Sequence, residues 1–328
     1  MNGVSVVICC FNSEGIVEET LDYLQKQETN VNWEVILVNN ASTDQTTRVA
    51  LKKWGLNPIT NLEIINETEP GLTYARKAGI AKAQYDIISF VDDDNFVPAN
   101  WVSEVANVFR NPEVGILGVT AIGHFDGVPP EWYEKHKHAF ATGELYDFSG
   151  DVSEIGGVYG AGMSIRKKIY AELSAKKWQP LLTGRIGKVQ MGGEDSEICL
   201  ASKLIGYKIY YAKDLVIQHY IKEDRISEER LVNMTIGFGF ADLFLLPYEV
   251  AHRSKIGKPQ QFDGLRQSVF FNYFSKKVRL LQLYFQKGNM TPLDYKIAKV
   301  RIDAFCETIL ARKTSFIEAF ANVDRLLK

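Results

Sequence analysis

The chain has 328 residues, too long for one small domain and suited to one large or two moderate ones, and its 46% hydrophobic content allows a sizeable core. The formal net charge of −2 excludes a nucleic-acid binder that works by bulk electrostatics. Residues 251–328 nevertheless hold 15 Lys and Arg against 6 Asp and Glu, about +9, which leaves about −11 on the rest and points to a basic C-terminal face for an anionic surface or partner. From the N-terminus, VSVVICC (4–10) reads as a buried strand followed by a helix over about 14–27. WEVILV (33–38) is a second strand, with a helix starting near Thr43, and LEII (62–65) is a third, with a helix over about 72–84. DIISFV (86–91) leads to a helix starting near Pro98, and VGILGVTAI (114–122) is a further strand. Solid apolar strands alternating with helices predict an α/β fold with a mostly parallel sheet covered on both faces.

Beyond residue 122 the pattern loosens. FDGVPPEWYEKHKHAF is a polar, aromatic excursion, GGVYGAGMSIRKKIY turns from Gly-rich to helical, and GGEDSEICLASKLIG is a Gly-Gly turn into a helix that stops at Gly206. YKIYYAKDLVIQHY alternates like a strand pair. From about 223 the chain reads as helical, with a capped start at Thr291 and with Ile302, Phe305, Ile309, Phe316, Phe320, Val323 and Leu327 at helical spacing. Cys9, Cys10, Cys199 and Cys306 show no CxxC or zinc spacing and are expected to be reduced core residues of a cytoplasmic protein. The opening MNGVSVVICCFN has no basic segment and is not expected to be a signal peptide. The apolar stretch IGFGFADLFLLPYEVA contains Asp242 and Pro247 and falls short of the ~20 residues of a membrane span, so none is expected.

In an open parallel sheet, ligands bind beyond the carboxyl ends of the strands. The first strand ends in Phe11-Asn12-Ser13, the second in Asn39-Asn40-Ala41-Ser42-Thr43-Asp44, and the fourth in Asp92-Asp93-Asp94-Asn95. A ring, amides and carboxylates at one edge suit a nucleotide whose phosphates ride on a divalent cation, although each piece alone is ordinary turn chemistry. Neither a G-x-x-x-x-G-K-[ST] loop nor a G-x-G-x-x-G loop follows the first strand, so positive charge for a diphosphate must come from elsewhere, and carboxylate-held Mg²⁺ or Mn²⁺ supplies it.

The runs SVVICCFNSEGIVEETLDYLQKQ, VNNASTDQT, EPGLTYARKAGI, FVDDDN and GGEDSEIC, in that order over about 4–220, resemble the family 2 glycosyltransferases of the GT-A fold. The resemblance implies a Rossmann-like, mostly parallel sheet flanked by helices, with a catalytic domain over 1–222 and a helical C-terminal region over 223–328. The catalytic domain would divide into a nucleotide-binding half to about 122 and an acceptor-binding half over 123–222. It also implies a nucleotide-sugar donor, a carbohydrate or lipid-linked acceptor, Mn²⁺ or Mg²⁺, and inversion at the anomeric carbon. FVDDDN stands at the family's Asp-x-Asp motif: Asp94 is the expected metal ligand and Asp92 a ribose or metal-shell contact. Asp93, at the same nucleotide edge, points the other way and is expected to tolerate change. Phe11, Asn12 and Glu14 are expected to cover the base, make backbone contacts and touch the ribose, and Arg76 to lie near the nucleotide. Asn39 stands where the family commonly has an aspartate that accepts from uracil; an amide accepts as well, so a uridine donor is expected. Asp195 is the expected base for the acceptor hydroxyl, set in the first turn of a helix where the dipole favours negative charge, and Glu194 is expected to hold the acceptor sugar. His219 is a candidate third metal ligand, and Trp132 a candidate acceptor platform.

Residues after about 223 fall outside the resemblance. LRQSVFFNYFSKKVRLLQLYFQK combines an aromatic stripe with Lys276, Lys277, Arg279 and Lys287. One reading is an interfacial helix on the inner, anionic leaflet of the membrane, near a lipid-linked acceptor. The plainer reading is a packed helical cap or a homodimer interface with solvated charges. The function these signals predict is sugar transfer in surface polysaccharide or glycoconjugate synthesis; the alternatives are a non-catalytic nucleotide-sugar binding subunit and a sugar nucleotidyltransferase, and CCFNSEG is unlike the glycine- and arginine-rich loop the latter needs.

Overall fold

The computed structural model describes residues 3–182, 185–186, 189–190 and 192–328. In chain order it runs β1 (Val4–Cys10), α1 (Val17–Gln25), β2 (Trp33–Asn40), α2 (Thr46–Leu56), β3 (Asn61–Glu67), α3 (Leu72–Lys82), β4 (Ile87–Phe90) and β5 (Asn95–Phe96). There follow α4 (Trp101–Val108), β6 (Val114–His124), α5 (Tyr133–His136), β7 (Gly150–Asp151), β8 (Ser164–Arg166), α6 (Lys167–Ala175), β9 (Arg185–Ile186) and β10 (Val189–Gln190). The last elements are α7 (Glu194–Leu204), β11 (Lys208–Tyr220), α8 (Glu228–Lys255), α9 (Val269–Gln286), α10 (Pro292–Ala311) and α11 (Lys313–Leu327). By packing, these residues form two compact units. The first takes in the chain up to Glu172 together with Tyr207–Glu223, and the second Leu173–Gly206 together with Asp224–Lys328.

In the first unit, nine of the described strands form one sheet in the order β3-β2-β1-β4-β8-β6-β11-β5, with β7 against β11. β1, β2, β3 and β4 are parallel, and β8 lies antiparallel between β4 and β6. The even residues of β1 (Val4, Val6, Ile8, Cys10) join α1, α2 and α4 in one apolar cluster. α3 covers the opposite face and approaches so closely that a Cβ on Gly79 would lie 2.4 Å from Val7 Cγ1, which is why a glycine stands there. The chain builds outward from β1 to β3 and then crosses to the other side of β1 as β4. That reversal of order opens a crevice beyond the carboxyl ends of β1 and β4, and the sequence loads those ends with polar residues.

Several expectations change on folding. The stretch expected as a strand pair is one strand, β11, which runs parallel to β6 and absorbs Lys213, Asp214 and Leu215 in a register shift between Ala212 and Val216. The stretch judged too short for a span belongs to the 28-residue α8, long and apolar enough to cross a bilayer by length and composition. In this fold 61% of its most apolar segment is buried, and its Asp242 accepts two bonds from Arg301, at 2.8 and 2.7 Å. The packing units also cut across the expected division at 222, because the described residues of 173–206 group with the C-terminal helices. There Leu182, Phe244, Phe305, Ile309, Phe316 and Phe320 make the core, while Leu327, expected on the same stripe, is exposed at the chain end.

Candidate functional site

The three strand-end loops of the first unit are clamped together by their own polar groups. Asn12 has φ +53°, a left-handed value asparagine tolerates, and this turns its backbone N–H to Ser42 Oγ (3.0 Å) and its Oδ1 to the Thr43 N–H (2.8 Å). The Glu14 N–H donates to Asp44 Oδ2 (3.0 Å), while Glu14 Oε2 accepts from the Gln45 N–H (2.8 Å). The Ser13 N–H donates to Thr46 Oγ1 (2.8 Å), which itself donates to Asp44 Oδ1 (2.5 Å). Burial alone would raise the Asp44 carboxyl, but the Thr46 hydroxyl and the backbone N–H groups of Glu14 and Thr46 hold it below the usual range. The third loop joins through Asp93: its carboxylate accepts from Ser13 Oγ and its carbonyl from Thr20 Oγ1. The aspartate expected to tolerate change is thus a strut between the loops after β1 and β4. Ser13 and Asp44 stand in the sequence only as members of the polar strand-end runs and Thr46 carries no mark there, because the parallel β1–β2 register is what brings the two loops opposite one another.

Phe11 projects from this clamp and is 56% exposed, an apolar ring with no core to join. Asn39 donates from Nδ2 to Asn66 Oδ1 (3.1 Å) and accepts at Oδ1 from the Ser42 N–H (3.3 Å). Arg76 on α3 lies over the Phe90 ring, 5.0 Å from its centroid. Burial pushes the Cys9 thiol up to about 12, with Arg76 pulling it down and Asp92 and Asp93 pushing it further up, so these three charges flank one strand end. Trp132 packs half-buried against Phe140, with ring centroids 6.1 Å apart.

Asp94 owes its position to β5 and β11. β5 pairs antiparallel with β11, setting Asn95 opposite His219, and the Tyr220 N–H donates to the Asp94 carbonyl (2.8 Å). Phe96 is buried beneath them, stacked on Tyr23 at 5.0 Å. Asp94 Oδ1 and His219 Nε2 therefore face each other at 3.6 Å, too long for a hydrogen bond, and His219 Nδ1 is buried with no hydrogen-bond partner among the described residues. A carboxylate oxygen and an imidazole nitrogen at this separation are ligand types a divalent cation accepts. No group of three or more His, Cys, Asp or Glu converges on a metal position among the described residues.

In the second unit, Glu194 and Asp195 open α7. Gly193 before them has φ +104°, and a Cβ there would lie 2.9 Å from Ala241 Cβ, so glycine is required on both counts. Asp195 Oδ1 accepts from the Ser196 N–H (2.7 Å). Glu197, one turn on and 1% exposed, is a further carboxylate of this helix, one that the sequence motifs do not single out. Its carboxylate accepts from the Leu181 and Leu182 N–H groups (2.8 and 2.9 Å) and from Tyr248 OH (2.7 Å), which in turn accepts from Trp178 Nε1 (2.7 Å). An acid followed by Ile198 and Cys199 was the available signal for an inward-facing carboxylate. Its three donors lie 15 to 51 residues away. Glu197→Ala is expected to destabilise the protein by about 3–5 kcal/mol, since three buried donors lose their acceptor, and this would be read as a fall in the urea midpoint. Burial raises the Glu197 pKa from the ordinary 4.5 to about 7, so the folded state holds a proton that the unfolded chain releases. The associated stability is fully present below about pH 4.5 and lost as pH rises through 7.

A sequence profile of glycosyl transferase family 2 matches residues 5–174. The chain is 21% identical over 242 residues to the glucosyl-dolichyl phosphate glucuronosyltransferase of Haloferax volcanii, a match covering 73% of this chain and 75% of that protein. For other relatives the overlap is smaller: it spans 33% of the glycosyltransferase EpsJ of Bacillus subtilis. The crystal structure of Staphylococcus aureus TarS 1-349 in complex with UDP-GlcNAc aligns with a TM-score of 0.52 at 16% identity, over 95% of this chain and 92% of that one. The mannosyltransferase PcManGT of Pyrobaculum calidifontis, in complex with GDP-Man and Mn²⁺, aligns with a TM-score of 0.52 at 16% identity, over 98% and 85%. These structural likenesses carry the fold, which is GT-A. With more than half of its length matched by the family profile, the chain belongs to the family 2 glycosyltransferases.

Proposed function

We propose that the protein transfers a sugar, with inversion, from a UDP-linked donor to a glycan or lipid-linked acceptor, with a divalent cation held by Asp94 and His219. The observation that carries this reading is the Asp94–His219 pair, an imidazole nitrogen and a carboxylate oxygen 3.6 Å apart, beside loops clamped at the carboxyl ends of β1 and β4. Mn²⁺ or Mg²⁺ bound there would take its remaining ligands from the donor's diphosphate, as such ions do when held by one or two protein side chains. When bound, the ion neutralises charge on the departing nucleoside diphosphate. Phe11 covers the base, Asn39 offers its remaining oxygen lone pair to a uracil N–H, and Asn12 and Glu14 hold the loop that meets the ribose. Asp92 contacts the ribose, and Arg76 adds positive charge to an otherwise acidic edge. Asp195 takes the acceptor's proton, Glu194 binds the acceptor sugar, and Trp132 serves as a platform for that sugar.

A thermal-shift screen tests the reading. UDP-sugars are expected to raise the melting temperature more with Mn²⁺ than with chelator, and more than GDP-sugars do. If no nucleotide sugar stabilises the protein in a metal-dependent way, the reading fails.

A further inference from the structure

The geometry points to α9 as a membrane-docking helix for a bilayer carrying anionic lipids, independent of the donor site. Phe270, Phe274, Val278, Leu281 and Phe285 are each between 55% and 76% exposed. Their spacing of four, four, three and four places them in one arc of about 80°. The opposite side of α9 carries the packing: Asn272 and Leu283 are buried, and Val269 and Tyr273 lie against the core of this unit. The helix is therefore apolar on two faces and buries only one. Isolated exposed apolar residues are normal, but a row of five along four helical turns is an interaction surface.

Charge selects the occupant. Residues 250–293 hold eight Lys and Arg against a single acid, Asp263. That acid is taken by Arg253 through bonds of 3.1 and 2.7 Å. Lys277, Arg279 and Lys287 are exposed on or just after α9. Of these, Lys277 flanks the aromatic row, about 60° from its centre on the helix, and a second copy docking by two-fold symmetry would bring the two basic 250–293 segments together, which disfavours a homodimer here. An anionic polymer would match the charge and leave the apolar row in water. A lipid surface satisfies both, with phosphates for the basic groups and acyl chains for the aromatic row.

Flotation of the full-length protein with phosphatidylcholine vesicles, with and without phosphatidylglycerol, tests the inference. Binding is expected only with phosphatidylglycerol, and is expected to weaken as salt rises. Replacing Phe270, Phe274 and Phe285 together by Ser is expected to lower affinity on the order of 100-fold or more, with an unchanged circular dichroism spectrum. Lys277→Gln, Arg279→Gln and Lys287→Gln, at about five-fold each, are together expected to lower it on the order of 100-fold. No binding by the parent protein at physiological salt overturns the inference, as does binding that neither set of changes weakens. A dimer in light scattering that the Phe changes dissolve, without vesicle binding, overturns it in favour of self-association. Donor stabilisation in the thermal-shift screen is expected to persist in both variants, so failure here is distinguishable from failure of the proposed activity.

Discussion

Asp195→Asn is expected to lower sugar transfer by about 10²–10⁴-fold while leaving donor binding intact. In an inverting transfer the acceptor hydroxyl attacks from the side opposite the departing nucleotide, and its proton needs a base as the new bond forms. Asn keeps the side-chain oxygen that accepts from the Ser196 N–H, so the start of α7 should survive and the loss should fall on chemistry. The measurement pairs steady-state transfer with calorimetric titration of the donor. Full turnover with the Asn variant would remove Asp195 as the base. Lost donor binding would instead mean that the helix start had been disturbed.

Asp94→Asn is expected to lower kcat/KM by about 10²–10³-fold and to abolish the Mn²⁺-dependent part of donor stabilisation. The amide matches the carboxylate in size and preserves the Asp94 carbonyl bond from the Tyr220 N–H, so β5 should stay paired with β11. What changes is charge at the atom facing His219. Asp93→Asn is the control. Its weaker bond with Ser13 should lower stability and donor affinity while the remaining stabilisation keeps its metal dependence. A metal response in the thermal shift that survives Asp94→Asn would exclude Asp94 as a ligand.

These two tests also separate what was legible in the sequence from what was not. Asp92-Asp93-Asp94 and Glu194-Asp195 stood out because each is a run of like charge placed just past an apolar strand or a Gly-Gly turn, a local conflict visible in one dimension. The strut role of Asp93 was not visible, since its partner Ser13 lies 80 residues away and meets it only once β1 and β4 pair in parallel. Glu197 was hidden for the same reason, its carboxylate being satisfied by residues on two other segments.

The sequence by itself determined the alternation of strands and helices, the polar load at the ends of β1, β2 and β4, and the family. A strand or helix imposes its own periodicity of burial, and turn chemistry marks where each element stops. Only the tertiary structure decided which distant groups meet. The 3.6 Å approach of His219 to Asp94 depends on an antiparallel pairing across more than 120 residues, whose register no local pattern encodes. The fate of α9 was decided in the same way: its sequence offers two apolar faces, and packing against neighbouring helices buries one and leaves the other, a row of Phe, Val and Leu side chains, in solvent.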